Sequence, residues 1–293
     1  MMQSADRAAG RSTGRTGSLG GTGGTGITDR ICLVIPYYEA GDDLVESLTS
    51  VRMRRTDLII VVDDGSQRRP ARNLIPPTVA DTPVRLIELE KNSGITVALR
   101  TGISSAPADF AFIARLDCGD TCHPERFSTQ RDFLSRHPDI VLVGSWVDFV
   151  SPDGSFLYRL EQPVDPTAVR KRMRVNCAIT HPAAIFRREA YDHAGGYPTA
   201  YPAAEDYALF AQMLKQADAA NIPQSLVRCR TGDGGISDKK RRTQLVSRCR
   251  ILLKHFDGHP MAVYGLLRAI GQMATPRRWS TWAHRIRVKL TGQ

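Results

Sequence analysis

The sequence predicts an α/β fold, a mostly parallel sheet flanked by helices, followed by a C-terminal helical extension. Three observations carry that prediction. Short apolar runs of strand length occupy residues 31–35, 58–62 and 84–89 and the first half of residues 110–120. Between them stand segments whose apolar residues recur at helical spacing, and strand–helix–strand repeats build parallel sheets through right-handed crossovers. Each run also ends in a polar cluster: Tyr38-Glu39, Asp63-Asp64, Lys91-Asn92, and Asp117-Cys118-Gly119-Asp120.

Taken in order, residues 1–28 are Gly, Ser, Thr and Arg with almost nothing to bury, and are expected to be disordered. Gly21-Thr-Gly-Gly-Thr-Gly26 matches a dinucleotide-binding pattern, but it precedes the first strand instead of joining a strand to a helix, so it reads as linker. The first strand is expected to stop at Pro36, and Asp42 and Asp43 to cap a helix carrying Leu44, Val45, Leu48 and Val51. Residues 91–94 open a second helix through Ile95, Ala98, Leu99 and Ile103. Pro124 is expected to start a third, reaching about His137, with Phe127, Phe133 and Leu134 on one face. A strand at 140–143 follows, then a hairpin with its turn at Pro152-Asp-Gly154 between 146–150 and 156–160.

The later half is less regular. Residues 178–186 read as a strand interrupted by Pro182, and Gly195-Gly196-Tyr197 ends a short helix after it. Glu205-Asp206 begin a helix with Tyr207, Leu209, Phe210, Met213 and Leu214, and residues 226–230 form a last strand. A Gly232-to-Gly235 loop leads to a basic helix from Asp238. This divides the chain into a tail (1–28), an α/β domain (29–237, its nucleotide half at 29–125 and its acceptor half at 126–237) and a basic extension (238–293).

Composition limits the function classes. The 293 residues are 42% hydrophobic and 24% charged, as in ordinary globular proteins. The net charge of +10 points to an anionic partner such as phosphate, nucleic acid or a membrane surface. Six cysteines without a C-x-x-C pair indicate neither a disulfide framework nor a zinc knuckle, and Cys118 with Cys122 is the only close pair. With no run of eighteen apolar residues and no apolar N-terminal core, the expectation is a cytoplasmic protein, touching the inner face of the plasma membrane at most. The segment at 279–290 mixes Trp279, Trp282, Ile286 and Val288 with Arg285, Arg287 and Lys289. It suits either an anionic bilayer surface or a helix packed on the domain with a solvated charged face.

Carboxylates at the carboxyl ends of parallel strands need a reason. Asp117 and Asp120 either hold a hard divalent cation bridged to substrate phosphates or form a polar turn before the next helix. Four polar strand ends in series favour a nucleotide site.

Residues 34–39 (Val-Ile-Pro-Tyr-Tyr-Glu), Val62-Asp-Asp-Gly-Ser66, Asn92-Ser-Gly94, Ala114-Arg-Leu-Asp117 with Asp120, Pro124-Glu-Arg-Phe127 and Glu205-Asp206 together resemble the ordered motifs of family 2 inverting glycosyltransferases of GT-A fold. The resemblance spans roughly residues 30–237 and implies an NDP-sugar donor, a glycan or lipid-linked acceptor, Mg²⁺ or Mn²⁺, and inversion in one displacement. It assigns Asp64 to the base, Tyr38 and Glu39 to the nucleoside, and Lys91 to the border of that pocket. Pro36, Asp63, Asn92, Arg115 and Asp117 complete the nucleotide-sugar set, Asp117 and Asp120 correspond to the metal-binding region, and Asp206, with Glu205 beside it, to the general base. His181 and Arg230 are candidate phosphate or acceptor contacts, with a hydrogen-bonded structural imidazole the other reading of His181. Relatives commonly read Asp-x-Asp-Asp where this chain has Gly119, which leaves the metal role to Asp120 or weakens binding. Three alternatives stand beside this reading. One is a GT-A-like protein without activity, another a nucleotidyltransferase lacking its glycine-rich loop after the first strand, and the third a basic nucleic-acid-binding protein. The acidic strand ends argue against a nucleic-acid partner.

Overall fold

The computed structural model describes residues 28–215, 217–231 and 241–274. The glycine-rich start, the Gly232-to-Gly235 loop and the segment around Trp279 and Trp282 lie outside those residues. In chain order the strands are β1 (Thr28–Tyr37), β2 (Leu58–Asp63), β3 (Thr78–Val79), β4 (Thr82–Glu88), β5 (Phe110–Arg115), β6 (Thr121–Cys122), β7 (Ile140–Val150), β8 (Phe156–Leu160), β9 (Ile185–Arg187) and β10 (Asp218–Arg230). The helices are α1 (Asp42–Ser50), α2 (Ile95–Ser105), α3 (Arg126–Arg136), α4 (Pro166–Met173), α5 (Arg188–His193), α6 (Glu205–Met213), α7 (Arg241–Lys254) and α8 (Pro260–Ala274).

The sheet runs β3-β4-β2-β1-β5-β9-β7-β10-β6, with β8 on β7. Strands β4, β2, β1 and β5 are parallel neighbours. The short β9 is antiparallel to both β5 and β7, and β7 is parallel to β10. Six strands therefore point the same way and deliver their carboxyl ends to one edge, where open α/β sheets bind ligands.

Alternation along β1 divides the core. Cys32 and Val34 pack with Ala98, Leu99 and Ile103 of α2 and with the α6 side chains on one face. Ile31, Leu33 and Ile35 pack with Leu44 and Leu48 of α1 and Phe127 and Leu134 of α3 on the other. Helix α2 approaches the sheet closely because Gly102 has no side chain: a Cβ there would lie 2.5 Å from Val34 Cγ1 and 2.9 Å from Val62 Cγ2. Gly102→Ala is expected to destabilise the chain by about 1–3 kcal/mol, read from denaturant unfolding, because backbone or core must shift to admit the methyl group. Beneath α3, the buried Arg131 Nη2 donates to Asp57 at 2.5 Å, and the same carboxylate accepts from the Ile31 and Arg54 N–H groups.

Several elements differ from the sequence expectations. Pro36 does not stop β1, which continues to Tyr37. Its nitrogen lies on the β5 side, where the ladder already ends at Val34 and Arg115, so no hydrogen bond is forfeited. Asp42 and Asp43 do not cap α1 through their side chains; Gly41, at φ 61°, is its N-cap. The third helix starts at Arg126, not Pro124. Residues 140–143 and 146–150 are one strand, β7. Residues 178–186 are not a strand: Pro182 lies in a 3-10 turn, His181–Ala183, before the three-residue β9. The last strand begins at Asp218, eight residues before the expected Leu226, and the basic helix is described from Arg241.

Candidate active site

Residues 29–125 present loops that bind one another. Glu39, at φ 52°, follows β1 and turns its carboxylate onto the N–H groups of Gln67 (2.8 Å), Arg68 (3.0 Å) and Arg69 (3.0 Å). Those bonds, led by the Arg68 N–H, hold its carboxyl below the usual range. Asp63 ends β2 and accepts from Ser66 N and Ala71 N at 2.9 and 2.7 Å. Asp64 accepts from Ser93 N (2.7 Å) and Gly94 N (2.8 Å) at the start of α2. Between them Gly65 (φ 74°) lies so close to the Lys91 backbone that a Cβ would sit 2.4 Å from its carbonyl carbon. The loops after β2 and β4 are thus in direct contact, with the side chains of Tyr38, Lys91 and Asn92 exposed along this edge. Pro36 precedes them, and its carbonyl accepts from Cys118 Sγ at 3.4 Å.

The centre is Arg115, the last residue of β5, whose side chain is 2% exposed. Its Nη1 donates to Asp117 Oδ2 at 2.9 Å, and its Nη2 to Asp117 Oδ1. Burial lowers its pKa, opposed in order by the Tyr197, Asp120, Asp206 and Glu205 groups around it. Its carbonyl accepts from Arg126 Nη2 at 2.8 Å. Arg115 therefore holds Asp117 directly, and Asp120 after β5 and Asp206 and Glu205 at the start of α6 act on its charge.

Asp120 is 7% exposed, and burial pushes its carboxyl up to about 6, against the opposing Arg230 N–H (3.0 Å) and the Arg115 charge. Gly119, at φ 92°, turns the chain between the two aspartates. The Asp206 side chain is 26% exposed, and its Oδ1 accepts from Tyr207 N at 2.7 Å. Burial raises its pKa, with the Tyr207 N–H and Arg115 acting in the other direction. His181 Nε2 is 2.7 Å from Tyr197 Oη and its Nδ1 is 4.0 Å from Asp206 Oδ2. Burial, then Arg115, holds this imidazole neutral, well below the usual histidine range.

Arg230 sits beside Asp120, to which its backbone N–H donates. Its guanidinium is engaged by α1, through Asp43 Oδ1 at 2.7 Å and Glu46 Oε2, and so braces the end of β10 against that helix. Tyr197 escaped the sequence reading as a site residue; the available signal was its place directly after the Gly195-Gly196 turn, opposite His181.

Among the described residues no group of three or more His, Cys, Asp or Glu side chains converges to hold a metal. Burial pushes the Cys118 thiol up to about 12. Asp117 and Asp120 are hard oxygen donors, and a Mg²⁺-type cation is commonly held by one or two carboxylates plus substrate phosphates. The pair fits that mode: Asp117 is 39% exposed, and the buried Asp120 lacks enough positive charge to ionise at the ordinary carboxylate value.

The fold is that of GT-A glycosyltransferases. The Glycosyl transferase family 2 model matches residues 32–195, and the chain belongs to that family. It is 26% identical over 244 residues to the amylovoran biosynthesis glycosyltransferase AmsE of Erwinia amylovora, covering 80% of this chain and 90% of that one. It is also 26% identical over 187 residues to the UDP-Gal:alpha-D-GlcNAc-diphosphoundecaprenol beta-1,3-galactosyltransferase of Escherichia coli, covering 63% and 67%. S. aureus TarS 1-349 in complex with UDP-GlcNAc superposes with a TM-score of 0.63 at 15% identity, over 82% of this chain and 71% of that one. The mannosyltransferase PcManGT of Pyrobaculum calidifontis, in complex with GDP-Man and Mn²⁺, does so with 0.60 at 18% identity, over 85% and 71%. These two likenesses show the fold.

Proposed function

We propose that this glycosyltransferase moves a sugar from an NDP-sugar to an acceptor hydroxyl with inversion, assisted by Mg²⁺ or Mn²⁺, in assembly of a bacterial surface polysaccharide or glycolipid. The observation that carries the reading is the buried Arg115, which is bonded to Asp117 and feels the charges of Asp120, Asp206 and Glu205. Asp117 and Asp120 lie where a diphosphate would be bound, and Asp206 and Glu205 where an acceptor would enter. Asp206 accepts the proton of the attacking hydroxyl; its raised pKa makes it a stronger base than an exposed carboxylate. Neutral His181, fixed by Tyr197, lines the same space without adding charge that would weaken that base. A cation held by Asp117 and Asp120 would neutralise charge developing on the leaving diphosphate. Lys91, Asn92, Tyr38 and the Asp64 loop border the nucleoside.

The names of AmsE and of the E. coli enzyme support the polysaccharide setting and a lipid-linked acceptor. Among the described residues no helix is long and apolar enough to cross a membrane. Peripheral contact from the cytoplasmic side, through the cationic C-terminal extension, fits such an acceptor.

The test is NDP release from a panel of NDP-sugars with and without Mn²⁺ or Mg²⁺. Metal-dependent release from one donor is expected. Its absence from every donor favours the inactive reading, for which both Asp117 oxygens bonded to Arg115 are the specific observation. The pH profile is a second check. The base must be deprotonated, so a raised Asp206 pKa moves the acid limb of kcat/KM above the ordinary aspartate value of about 4. A limb at or below that value counts against Asp206.

A further inference from the structure

Behind α6 the chain gathers like charges without a counter-charge. Arg172 near the end of α4 and Arg248 of α7 lie near Tyr207, Arg268 of α8 acts on both of them, and Arg241 of α7 shares Gln272 with Arg248. Arg248 Nη1 donates to Asn176 Oδ1 at 3.3 Å and its Nη2 to Gln272 Oε1, while Arg241 Nη2 donates to the Gln272 carbonyl at 3.3 Å. All these acceptors are neutral, and among the described residues none of the four arginines forms a salt bridge. Arg248 Nε and Arg268 Nη1 are buried with no hydrogen-bond partner. Burial, then the Arg268 charge, lowers the pKa of both Arg172 and Arg248. Unpaired buried guanidinium donors and mutual repulsion are both destabilising, and an anion would relieve both.

The cluster has an accessible side and a defined position. Arg172 is exposed. Tyr207 follows Asp206 directly and donates its hydroxyl to the Met173 carbonyl, so its ring spans from the proposed base to the arginines. Cys177 feels both Asp206 and Arg172. Beside the cluster, α8 turns Val263, Tyr264, Leu267, Ile270 and Met273 outward, Leu267 being 64% exposed. Helix α8 is seated through Gly265, where a Cβ would lie 2.1 Å from the Arg174 carbonyl oxygen. Residues 239–293 hold thirteen basic residues and one acidic residue, more than the whole chain's +10.

We propose that Arg172, Arg248 and Arg268 form a binding site for the phosphate or diphosphate group of the acceptor, one tyrosine side chain from the proposed base. Guanidinium forks match phosphate oxygens in pairs, and three of them suit a diphosphate better than a single carboxylate. The apolar stripe of α8 then lies where a hydrocarbon chain attached to that group would run. The assignment rests on the transferase reading for the word acceptor, but the anion site itself does not.

The test is calorimetric titration of inorganic pyrophosphate into the full chain in EDTA, where cation-free Asp117 and Asp120 repel it. One binding event is expected, weakened at least about tenfold by Arg172→Gln and by Arg268→Gln and left in place by Asp117→Asn. Unchanged affinity in Arg172→Gln, an exposed position whose variant keeps the wild-type unfolding midpoint, overturns the proposal. So does loss of binding in Asp117→Asn, which would put the anion in the donor site. A second arm uses vesicles of phosphatidylcholine alone or mixed with phosphatidylglycerol. If pyrophosphate fails to bind while Arg172→Gln releases the chain from the anionic vesicles, the cluster reads lipid headgroups and the acceptor assignment is overturned. The transferase reading stands or falls separately, on NDP release from the donor.

Discussion

Asp206→Asn is expected to reduce sugar transfer by about 10²–10⁴-fold while NDP-sugar affinity changes little. The amide keeps the side-chain shape and can still accept from Tyr207 N, the bond that now holds Oδ1 at 2.7 Å, so α6 and the surrounding packing survive. What disappears is the capacity to take a proton. Because burial is the leading cause of the raised pKa, the basicity belongs to the site, and Asp206→Glu would recover only part of the rate by moving the carboxylate a methylene further. The measurement is kcat for transfer alongside donor affinity from a thermal-shift titration. A variant within tenfold of wild type would remove Asp206 from the mechanism.

Asp120→Asn is expected to lose at least about 10²-fold in metal-dependent turnover and yet to be more stable than the wild type without metal at neutral pH. The sign follows from the direction of the shift. A carboxyl raised from 3.8 to about 6 by burial favours the protonated folded state. The stability this group contributes is present at low pH and lost as pH rises through that value. At neutral pH the wild type thus holds a buried ionised carboxylate that destabilises it by on the order of 1–3 kcal/mol. The amide removes the charge while still accepting from Arg230 N. The unfolding midpoint of the variant should exceed that of wild type at neutral pH, and the gap should close below about pH 4. Added Mn²⁺ with NDP should raise the wild-type midpoint more than the variant's. A less stable variant at neutral pH would show that Asp120 is stabilising as an anion.

Residues 29–125 were legible because their signals are local. Continuous apolar runs such as residues 58–62 belong to strands buried on both faces, and β2 is buried throughout. Residues 126–237 hid for identifiable reasons. The first part of β10 contains Asn221 and Pro223, which break an apolar run; Asn221 Nδ2 instead satisfies the Pro163 and Ala178 carbonyls, and the register shifts between Ile222 and Ser225. Helix α4 buries only Val169 and Met173, too sparse for a periodicity argument, though Asp165 accepting from Ala168 N before Pro166 is a recognisable start signal. The candidate site was read as types of residue at strand ends, and the fold does bring Asp117, Asp120 and Asp206 around Arg115. What no one-dimensional pattern could reveal was occupancy. Glu39, Asp63 and Asp64 all use their carboxylates on backbone N–H groups, and Arg230 spends its guanidinium on α1, because loop closure is decided by residues far apart in sequence.

The shortest strand in the interior of the sheet is β9. Three residue pairs join it to β5 and two join it to β7, and among the described strands the other ladder between residues 29–125 and 126–237 is the two-pair contact of β6 with β10. A seam so short asks little of the sequences on either side. A graft from a relative with another acceptor would have to carry β7, β9 and β10 together, because ten residue pairs join β7 to β10 while only three join β9 to β5.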